Sequence, residues 1–321
     1  IDEGLVGSEM CIRDRTYPSD NHKFFVNNFS RVNTTPKSNL INSDGSVIMN
    51  LETADLSALF ESGYKFPETF KAKADDGITD LYGVIYKPFD FDENKKYPLL
   101  EYVYPGPQTE SVNKSFSVRM DRLDRMAQLG FIVITLGNRG GHPDRSKWYH
   151  NYGYGNLRDY GLADKKYVAQ QLANRHDFID INRVGIYGHS GGGFMSTAAI
   201  LVYPDFFKVA YSQAGNHDNS IYNSWWSETH HGILEETDDD GNIKYIYDID
   251  KNQSLAKNLK GHLYLVTGDM DNNVHPGATY RMANALIKAN KKFGFMILPS
   301  QRHGFGNMSE YNSWLRANHF S

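Results

Sequence analysis

The sequence predicts an α/β fold in which a mostly parallel sheet is covered by helices on both faces. From about Phe70 onward, short apolar segments alternate with segments of helical periodicity. One apolar segment, "VGIYG", runs into a G-x-S-x-G motif at residues 188–192, and a helix-like segment follows directly. Ligands of such sheets bind beyond the carboxyl ends of the strands, so we expect the functional site at that edge.

The individual elements can be assigned in chain order. "TFKAKA" and "LYGVIYKP" predict strands paired around Asp76-Gly77, and "YPLLEYVYPGP" predicts a third strand. Further strands are predicted for "FIVITL", "VGIYG", "KVAYS", "HLYLVTG" and "FGFMILP". Helices are predicted over residues 117–130, 157–173, 193–202, 279–289 and 311–320. This alternation supplies enough helices to cover both faces of one sheet.

The segment that precedes this fold has a different pattern. Between Tyr17 and about Glu68, short strands alternate with polar turns. A β segment of this size cannot bury its own core, so we expect it to belong to a larger β structure. The first fifteen residues, which include the single cysteine Cys11, show neither strand nor helix periodicity, and we expect a non-native tail there. We also expect a truncated C-terminus. The predicted division is residues 1–15, 16–68 and 69–321.

Composition argues against several classes of function. The net charge is −4 and no basic stripe is visible, so nucleic acid is not an expected partner. No stretch reaches the roughly 18 apolar residues of a membrane span, so no membrane segment is predicted in this chain. Residues 236–247 alternate acidic side chains as a calcium loop does, but Tyr247 stands where the bidentate Glu should be. His230 and His231 are adjacent and are expected in a loop, so no metal or other cofactor is predicted.

Ser190 is the candidate nucleophile. It follows a strand and precedes a helix, which is the setting of a tight turn that exposes a serine hydroxyl. Glycine is expected at Gly188 and Gly192 because a side chain there would collide with the neighbouring strand or helix. The alternative is that Ser190 is an ordinary helix N-cap in a glycine-rich turn.

A nucleophilic serine needs a base, usually a histidine, and a carboxylate that orients it. In this setting the chain order is serine, then carboxylate, then histidine. His303 follows the strand "FGFMILP" in a loop that can reach across the strand ends, so it is the candidate base. The strand "HLYLVTG" is followed by both Asp269 and Asp271, and sequence spacing alone does not decide between them.

The tetrahedral intermediate of acyl transfer needs two donors for its oxyanion. The backbone N–H of Gly191 supplies one. The second should come from the loop "VYPGPQ", where Pro105 and Pro107 carry no N–H. Gly106 and the Tyr104 hydroxyl therefore remain as candidates.

Five motifs together resemble, in the same order, those of the prolyl oligopeptidase family of serine peptidases, and within it the dipeptidyl-peptidase IV branch. They are "VYPGP", "YGHSGGGF", "GNHDNSIYNSWWSETHHG", "GDMDNNVHP" and "RHGF", and the resemblance runs roughly from Tyr17 to Asn307. It implies a C-terminal α/β-hydrolase domain preceded by a β-propeller, with residues 16–68 as the last blade and the link. It also implies three partners: a peptide substrate, the propeller of a longer parent chain, and a second copy in a homodimer. The implied location is periplasmic or secreted.

The resemblance also implies roles for individual residues. The implied catalytic residues are Ser190 as nucleophile, His303 as base, Asp271 as orienting carboxylate, and Tyr104 with the Gly191 amide as oxyanion donors. The implied lining of the pocket for the side chain before the scissile bond is Tyr222, Trp226, Asn273 and Val274. Tyr222 and Trp226 are also compatible with core packing at i, i+4 spacing.

The predicted function is a serine peptidase that hydrolyses short peptides through an acyl-enzyme on Ser190. Its most specific form is a dipeptidyl peptidase that prefers proline or a small residue before the scissile bond. The chain departs from that branch in lacking the propeller's paired glutamates and in carrying Gly191 where the best-known members have tyrosine. The alternatives are a carboxylester hydrolase with the same triad and an inactive fragment or relative.

Overall fold

The computed structural model describes residues 15–105, 107–117 and 123–321; Cys11 and Gly106 lie outside these ranges. The strands are β1 (Arg15–Pro18), β2 (Phe24–Phe29), β3 (Lys37–Asn42), β4 (Val47–Thr53), β5 (Glu68–Lys73), β6 (Asp80–Tyr86), β7 (Tyr97–Val103), β8 (Ile132–Leu136), β9 (Ile179–His189), β10 (Phe207–Gln213), β11 (Leu234–Thr237), β12 (Ile243–Ile246), β13 (His262–Gly268) and β14 (Gly294–Leu298). The helices are α1 (Ser57–Glu61), α2 (Asp124–Ala127), α3 (Lys147–His150), α4 (Leu162–Arg175), α5 (Gly191–Val202), α6 (Ser224–His231), α7 (Gly277–Lys288) and α8 (Ser309–Phe320).

The central sheet has eight strands in the order β14-β13-β10-β9-β7-β8-β6-β5. The strands from β8 through β7, β9, β10 and β13 to β14 are parallel, and β5 and β6 pair antiparallel at one edge. This is the α/β-hydrolase architecture, so the predicted fold class is confirmed. The carboxyl ends of β9, β13 and β14, which precede the three candidate catalytic residues, lie at the same edge of the sheet.

Side chains alternate between two hydrophobic cores on the two faces of this sheet. On β9, Ile186 packs into one core and Tyr187 into the other, and both are fully buried. The first core contains apolar residues of α4, α5 and α7, and the second contains those of α2 and α8. Because both faces are covered, the strands read as continuous apolar runs in the sequence.

The N-terminal strands β1 to β4 form a separate antiparallel sheet in sequential order. Its strands carry exposed or half-buried side chains, with β4 exposed along its whole length. A sheet of four strands with so little buried surface depends on neighbouring structure for its stability. In the part of the chain that the structure describes, no helix has the length and hydropathy needed to cross a bilayer.

The structure differs from the predicted elements in four places. Helix α4 begins at Leu162 instead of residue 157, because residues 157–161 form turns that end at Gly161. His230 and His231 close helix α6 and are not loop residues, so that expectation was wrong. Residues 234–246 form the hairpin β11–β12, and the acidic run at its tip caps the turn through Asp238. Of the predicted helix over residues 117–130, the described part is helical only at Asp124–Ala127.

Candidate active site

Ser190 occupies a strained turn between β9 and α5. Its φ is +58° and its ψ is −122°, a backbone conformation that residues other than glycine rarely adopt. The N–H of Ser190 donates to the carbonyl oxygen of Gln213 on β10 at 2.8 Å, which holds the turn against the neighbouring strand. Ser190 stands at the N-cap position of α5, but its side chain makes no capping hydrogen bond. The hydroxyl is therefore available for another partner.

The glycines around Ser190 are required by close backbone contacts. A β-carbon on Gly188 would lie 2.6 Å from the carbonyl group of Gly192, and one on Gly192 would collide with the carbonyl oxygen of Val103 on β7. A β-carbon on Gly193 would lie 2.5 Å from the carbonyl oxygen of Gln213. The strand and the helix can approach this closely only without side chains at these positions, as the sequence predicted for Gly188 and Gly192.

Asp271 and His303 form a close polar contact at this edge of the sheet. The Oδ2 atom of Asp271 lies 2.7 Å from Nδ1 of His303, and the Asp271 side chain is fully buried. The other carboxylate oxygen, Oδ1, accepts hydrogen bonds from the backbone N–H groups of Asn273 and Val274, each at 2.9 Å. Asp271 is thus an Asx-turn residue and a histidine partner at the same time.

Asp269 has a different environment from Asp271. It is exposed, and its Oδ1 accepts the N–H of Gln301 at 3.3 Å. The imidazole of His303 is joined to Asp271 and lies against the ring of His189, which precedes Ser190, with 4.7 Å between ring centroids. Of the two carboxylates that spacing left open, the structure therefore pairs Asp271 with the candidate base.

Tyr104 follows β7 and makes a side-chain hydrogen bond with Ser190. Burial raises the pKa of Tyr104, and the hydrogen bond with Ser190 opposes this change in part. The phenol is therefore neutral at ordinary pH and can donate a hydrogen bond. Gly191 is the first residue of α5, where backbone N–H groups have no partner within the helix. The competing candidate, Gly106, lies outside the described residues.

The four predicted pocket residues lie together beside Asp271. The Tyr222 hydroxyl donates to Oδ1 of Asn273 at 3.0 Å, and the Tyr222 and Trp226 rings meet edge to face with centroids 5.4 Å apart. Burial, followed by the nearby Tyr104 and Asp271, raises the pKa of Tyr222. Val274 is buried, and Trp226 also packs against the main hydrophobic core. The packing interpretation of Trp226 thus has a structural basis, and its role in a pocket stays a prediction.

The loop that carries Tyr222 contains residues that sequence reasoning did not single out. Asp218 is nearly buried and forms ion pairs with Arg281 of α7 at 3.3 Å and with Lys251 at 3.9 Å. His217 is fully buried, and its Nδ1 accepts a hydrogen bond from the Asn252 side chain at 3.2 Å. The only sequence signal for these contacts was the polar run "GNHDN" directly after an apolar strand.

No metal site accompanies these residues. Across the described ranges, no group of three or more His, Cys, Asp or Glu side chains is arranged to hold a metal ion. His230, which sequence analysis considered as a ligand, packs its ring against Trp226 with centroids 5.0 Å apart.

Comparison with known proteins adds independent information. Residues 116–319 match the prolyl oligopeptidase family. The chain is 33% identical over 241 residues to human dipeptidyl peptidase 8, covering 75% of this chain and 26% of that protein. It is 32% identical over 259 residues to bovine prolyl endopeptidase FAP, covering 79% of this chain and 32% of that protein.

A solved structure gives the same picture. The crystal structure of a candidate dipeptidyl aminopeptidase IV from Bacteroides ovatus superposes with a TM-score of 0.84 at 28% identity, covering 96% of this chain and 43% of that one. The chain thus spans less than half the length of each of these relatives. The family match covers the strands β8, β9, β10, β13 and β14 and includes Ser190, Asp271 and His303. The chain belongs to the prolyl oligopeptidase family of serine peptidases.

Proposed function

We propose that the chain is the catalytic part of a serine peptidase that hydrolyses short peptides through an acyl-enzyme on Ser190. One observation carries the proposal: Tyr104 is hydrogen-bonded to Ser190, and the ring of His303, joined to Asp271, packs against His189, the residue before Ser190. A nucleophile, a base, an orienting carboxylate and an oxyanion donor are the groups that acyl transfer requires. Here they gather at the edge of the sheet where ligands of this fold bind.

In the proposed reaction, Oγ of Ser190 attacks the carbonyl carbon of the scissile bond while Nε2 of His303 takes its proton. Asp271 keeps the proton on Nδ1 and stabilises the imidazolium. The Tyr104 hydroxyl and the Gly191 N–H donate hydrogen bonds to the oxyanion. His303 then protonates the leaving amine. The same imidazole deprotonates a water molecule that hydrolyses the ester and frees Ser190.

The proposed substrate has proline or a small residue before the scissile bond. Tyr222 and Trp226 present flat apolar surfaces next to the buried Val274, and such surfaces suit a proline ring. The hydrogen bond between Tyr222 and Asn273 fixes one of these surfaces beside Asp271. Relatives named as dipeptidyl peptidases support an exopeptidase, whereas another relative is named an endopeptidase. Whether the enzyme requires a free amino terminus on its substrate therefore has to be measured.

We also propose that β1 to β4 are one blade of a β-propeller, with residues 16–68 as blade and link and residues 69–321 as the catalytic domain. A four-stranded antiparallel sheet in sequential order is the repeating unit of propellers. The side chains of β4 are exposed in this chain, which suits an outer strand that a neighbouring blade would cover in a propeller.

The test is hydrolysis of Ala-Pro-nitroanilide with a free and with a blocked amino terminus, alongside a nitrophenyl ester. Ser190→Ala serves as the catalytic variant and Ser62→Ala, which changes an exposed serine after α1, as its matched control. Cleavage of the free form alone supports a dipeptidyl peptidase, and cleavage of the blocked form supports an endopeptidase. Ester turnover without amide cleavage would favour a carboxylester hydrolase, and amide hydrolysis that survives in Ser190→Ala would contradict the mechanism.

A further inference from the structure

The imidazole of His303 lies against a second imidazole, that of His189. The two ring centroids are 4.7 Å apart and the ring planes are inclined by 59°. The ring of His189 also meets Phe305 edge to face, with centroids 5.4 Å apart and planes at 84°. Two side chains of the loop that carries the candidate base therefore pack on one residue of the nucleophile turn.

His189 is held rigidly enough to serve as a support. It is the last residue of β9, and its Cα pairs with that of Gln213 in the parallel ladder with β10. Gln213 also accepts the N–H of Ser190, so both residues are tied to the same strand end. A side chain that packs on the His189 ring is therefore held at a defined distance from Ser190.

The loop of His303 has some support of its own, such as the hydrogen bond from the N–H of Phe305 to the carbonyl oxygen of Arg302 at 3.0 Å. His303 lies between β14 and α8, and 21% of its side chain is exposed. Its Nδ1 lies 2.7 Å from Oδ2 of Asp271, a contact that holds this edge of the ring. Phe305, two residues after His303, is buried and packs its ring on His189 as well. The ring of His189 adds a second contact that limits how the His303 imidazole can turn about its Cβ–Cγ bond.

We propose that His189 is a positioning residue that holds the His303 imidazole in line with Ser190. The inference rests on the proposed function, because it assumes that His303 is the base. The role rests on the packing of the flat ring, which contacts the rings of His303 and Phe305. A displacement of about 1 Å in such a pair lowers a rate by about 10²-fold, so a support of this kind has a measurable effect.

The experiment measures Ser190 activation without relying on peptide specificity. Variants His189→Ala, His189→Leu and His189→Phe are compared with the wild type in the rate of labelling by a fluorophosphonate, in kcat and KM for a nitrophenyl ester, and in unfolding temperature. His262→Ala, an exposed histidine at the opposite end of β13, is the matched control. We expect about 10- to 100-fold slower labelling and lower kcat in His189→Ala and His189→Leu, with KM within about twofold. His189→Phe, which restores a flat ring, should recover the rate to within about threefold of the wild type.

The outcomes separate this inference from the proposed function. A folded His189→Ala or His189→Leu protein with wild-type labelling would overturn the role of His189 alone. The same follows if His189→Phe is as slow as His189→Leu, because the ring would then not be the element that matters. If the wild type is not labelled and Ser190→Ala behaves identically, the catalytic triad itself is refuted, and the role of His189 is refuted with it.

Discussion

Asp271 and His303 are joined by a 2.7 Å contact between Oδ2 and Nδ1, and the same carboxylate uses Oδ1 to cap the turn that follows it. The two functions are coupled, because the backbone N–H groups of Asn273 and Val274 fix the carboxylate that orients the imidazole. The turn also begins the segment that leads to the pocket residues. The geometry of the proposed base and that of the proposed pocket therefore depend on one buried side chain.

Replacing Asp271 with asparagine should lower kcat by about 10² to 10⁴-fold and leave KM nearly unchanged, because the amide would favour the wrong imidazole tautomer. Steady-state kinetics on a nitroanilide or ester substrate measures this effect. Asp269→Asn is the matched control, since Asp269 is exposed and contacts the backbone of Gln301. A larger loss in Asp269→Asn than in Asp271→Asn would contradict the pairing.

Replacing Tyr104 with phenylalanine should lower kcat by about 10² to 10³-fold, because the oxyanion loses one of two donors. The phenyl ring remains, so packing around β7 and KM should change little. Binding of a boronate that mimics the tetrahedral intermediate should weaken along with kcat. If Tyr104→Phe raises KM at constant kcat, Tyr104 contributes to substrate binding instead of to the oxyanion.

The strand-turn-helix setting of Ser190 could be predicted from sequence because it is local. About twenty residues contain all the signals: Gly188 and Gly192, the apolar strand before them and the helix after them. The fold class follows from the alternation of elements and is confirmed by the order of the eight strands. Patterns of this kind are carried by neighbouring residues, so no knowledge of distant contacts is needed.

What sequence reasoning missed depends on contacts between distant segments. Spacing could not separate Asp269 from Asp271, because the deciding partner, His303, lies 32 residues further on. His189 was present in the quoted motif, but its contact with His303 depends on how β14 returns to the sheet. Helix α6 did have a local signal: Asn223 caps it by accepting the N–H of Trp226, and an asparagine before a helical segment is a recognised start.

Replacing Gly192 with alanine should destabilise the protein by about 1 to 3 kcal/mol and slow the labelling of Ser190, because the new β-carbon meets the backbone carbonyl of Val103. Val103 precedes Tyr104, so relief of the collision moves the oxyanion donor as well as the turn. Thermal unfolding and fluorophosphonate labelling measure the two effects. Gly241→Ala, at the open tip of the β11–β12 hairpin, adds a β-carbon that meets no neighbour; its φ of +80° carries a strain confined to the hairpin, so labelling should be unchanged. Equal labelling rates in the two variants would contradict the collision.

His217 should make the stability of the protein depend on pH below neutrality. Its imidazole is fully buried, and burial lowers its pKa from 6.5 to about 3. Protonation would also set an N–H at Nδ1 against the Asn252 amide nitrogen, which donates to it in the folded state.

Below pH 6.5 the unfolded chain gains a proton at His217 that the folded chain does not take up until about pH 3. The free energy of unfolding should therefore fall with decreasing pH across this window, by up to about 1.4 kcal/mol per pH unit from this residue. His217→Gln should remove this part of the slope in urea unfolding measured between pH 6.5 and 4. Asn252→Ala, which removes the donor but keeps the imidazole, should lower stability at every pH and retain most of the slope. Parallel pH profiles for the wild type and His217→Gln would mean that the folded protein accommodates the charged imidazole, against the burial that the structure gives it.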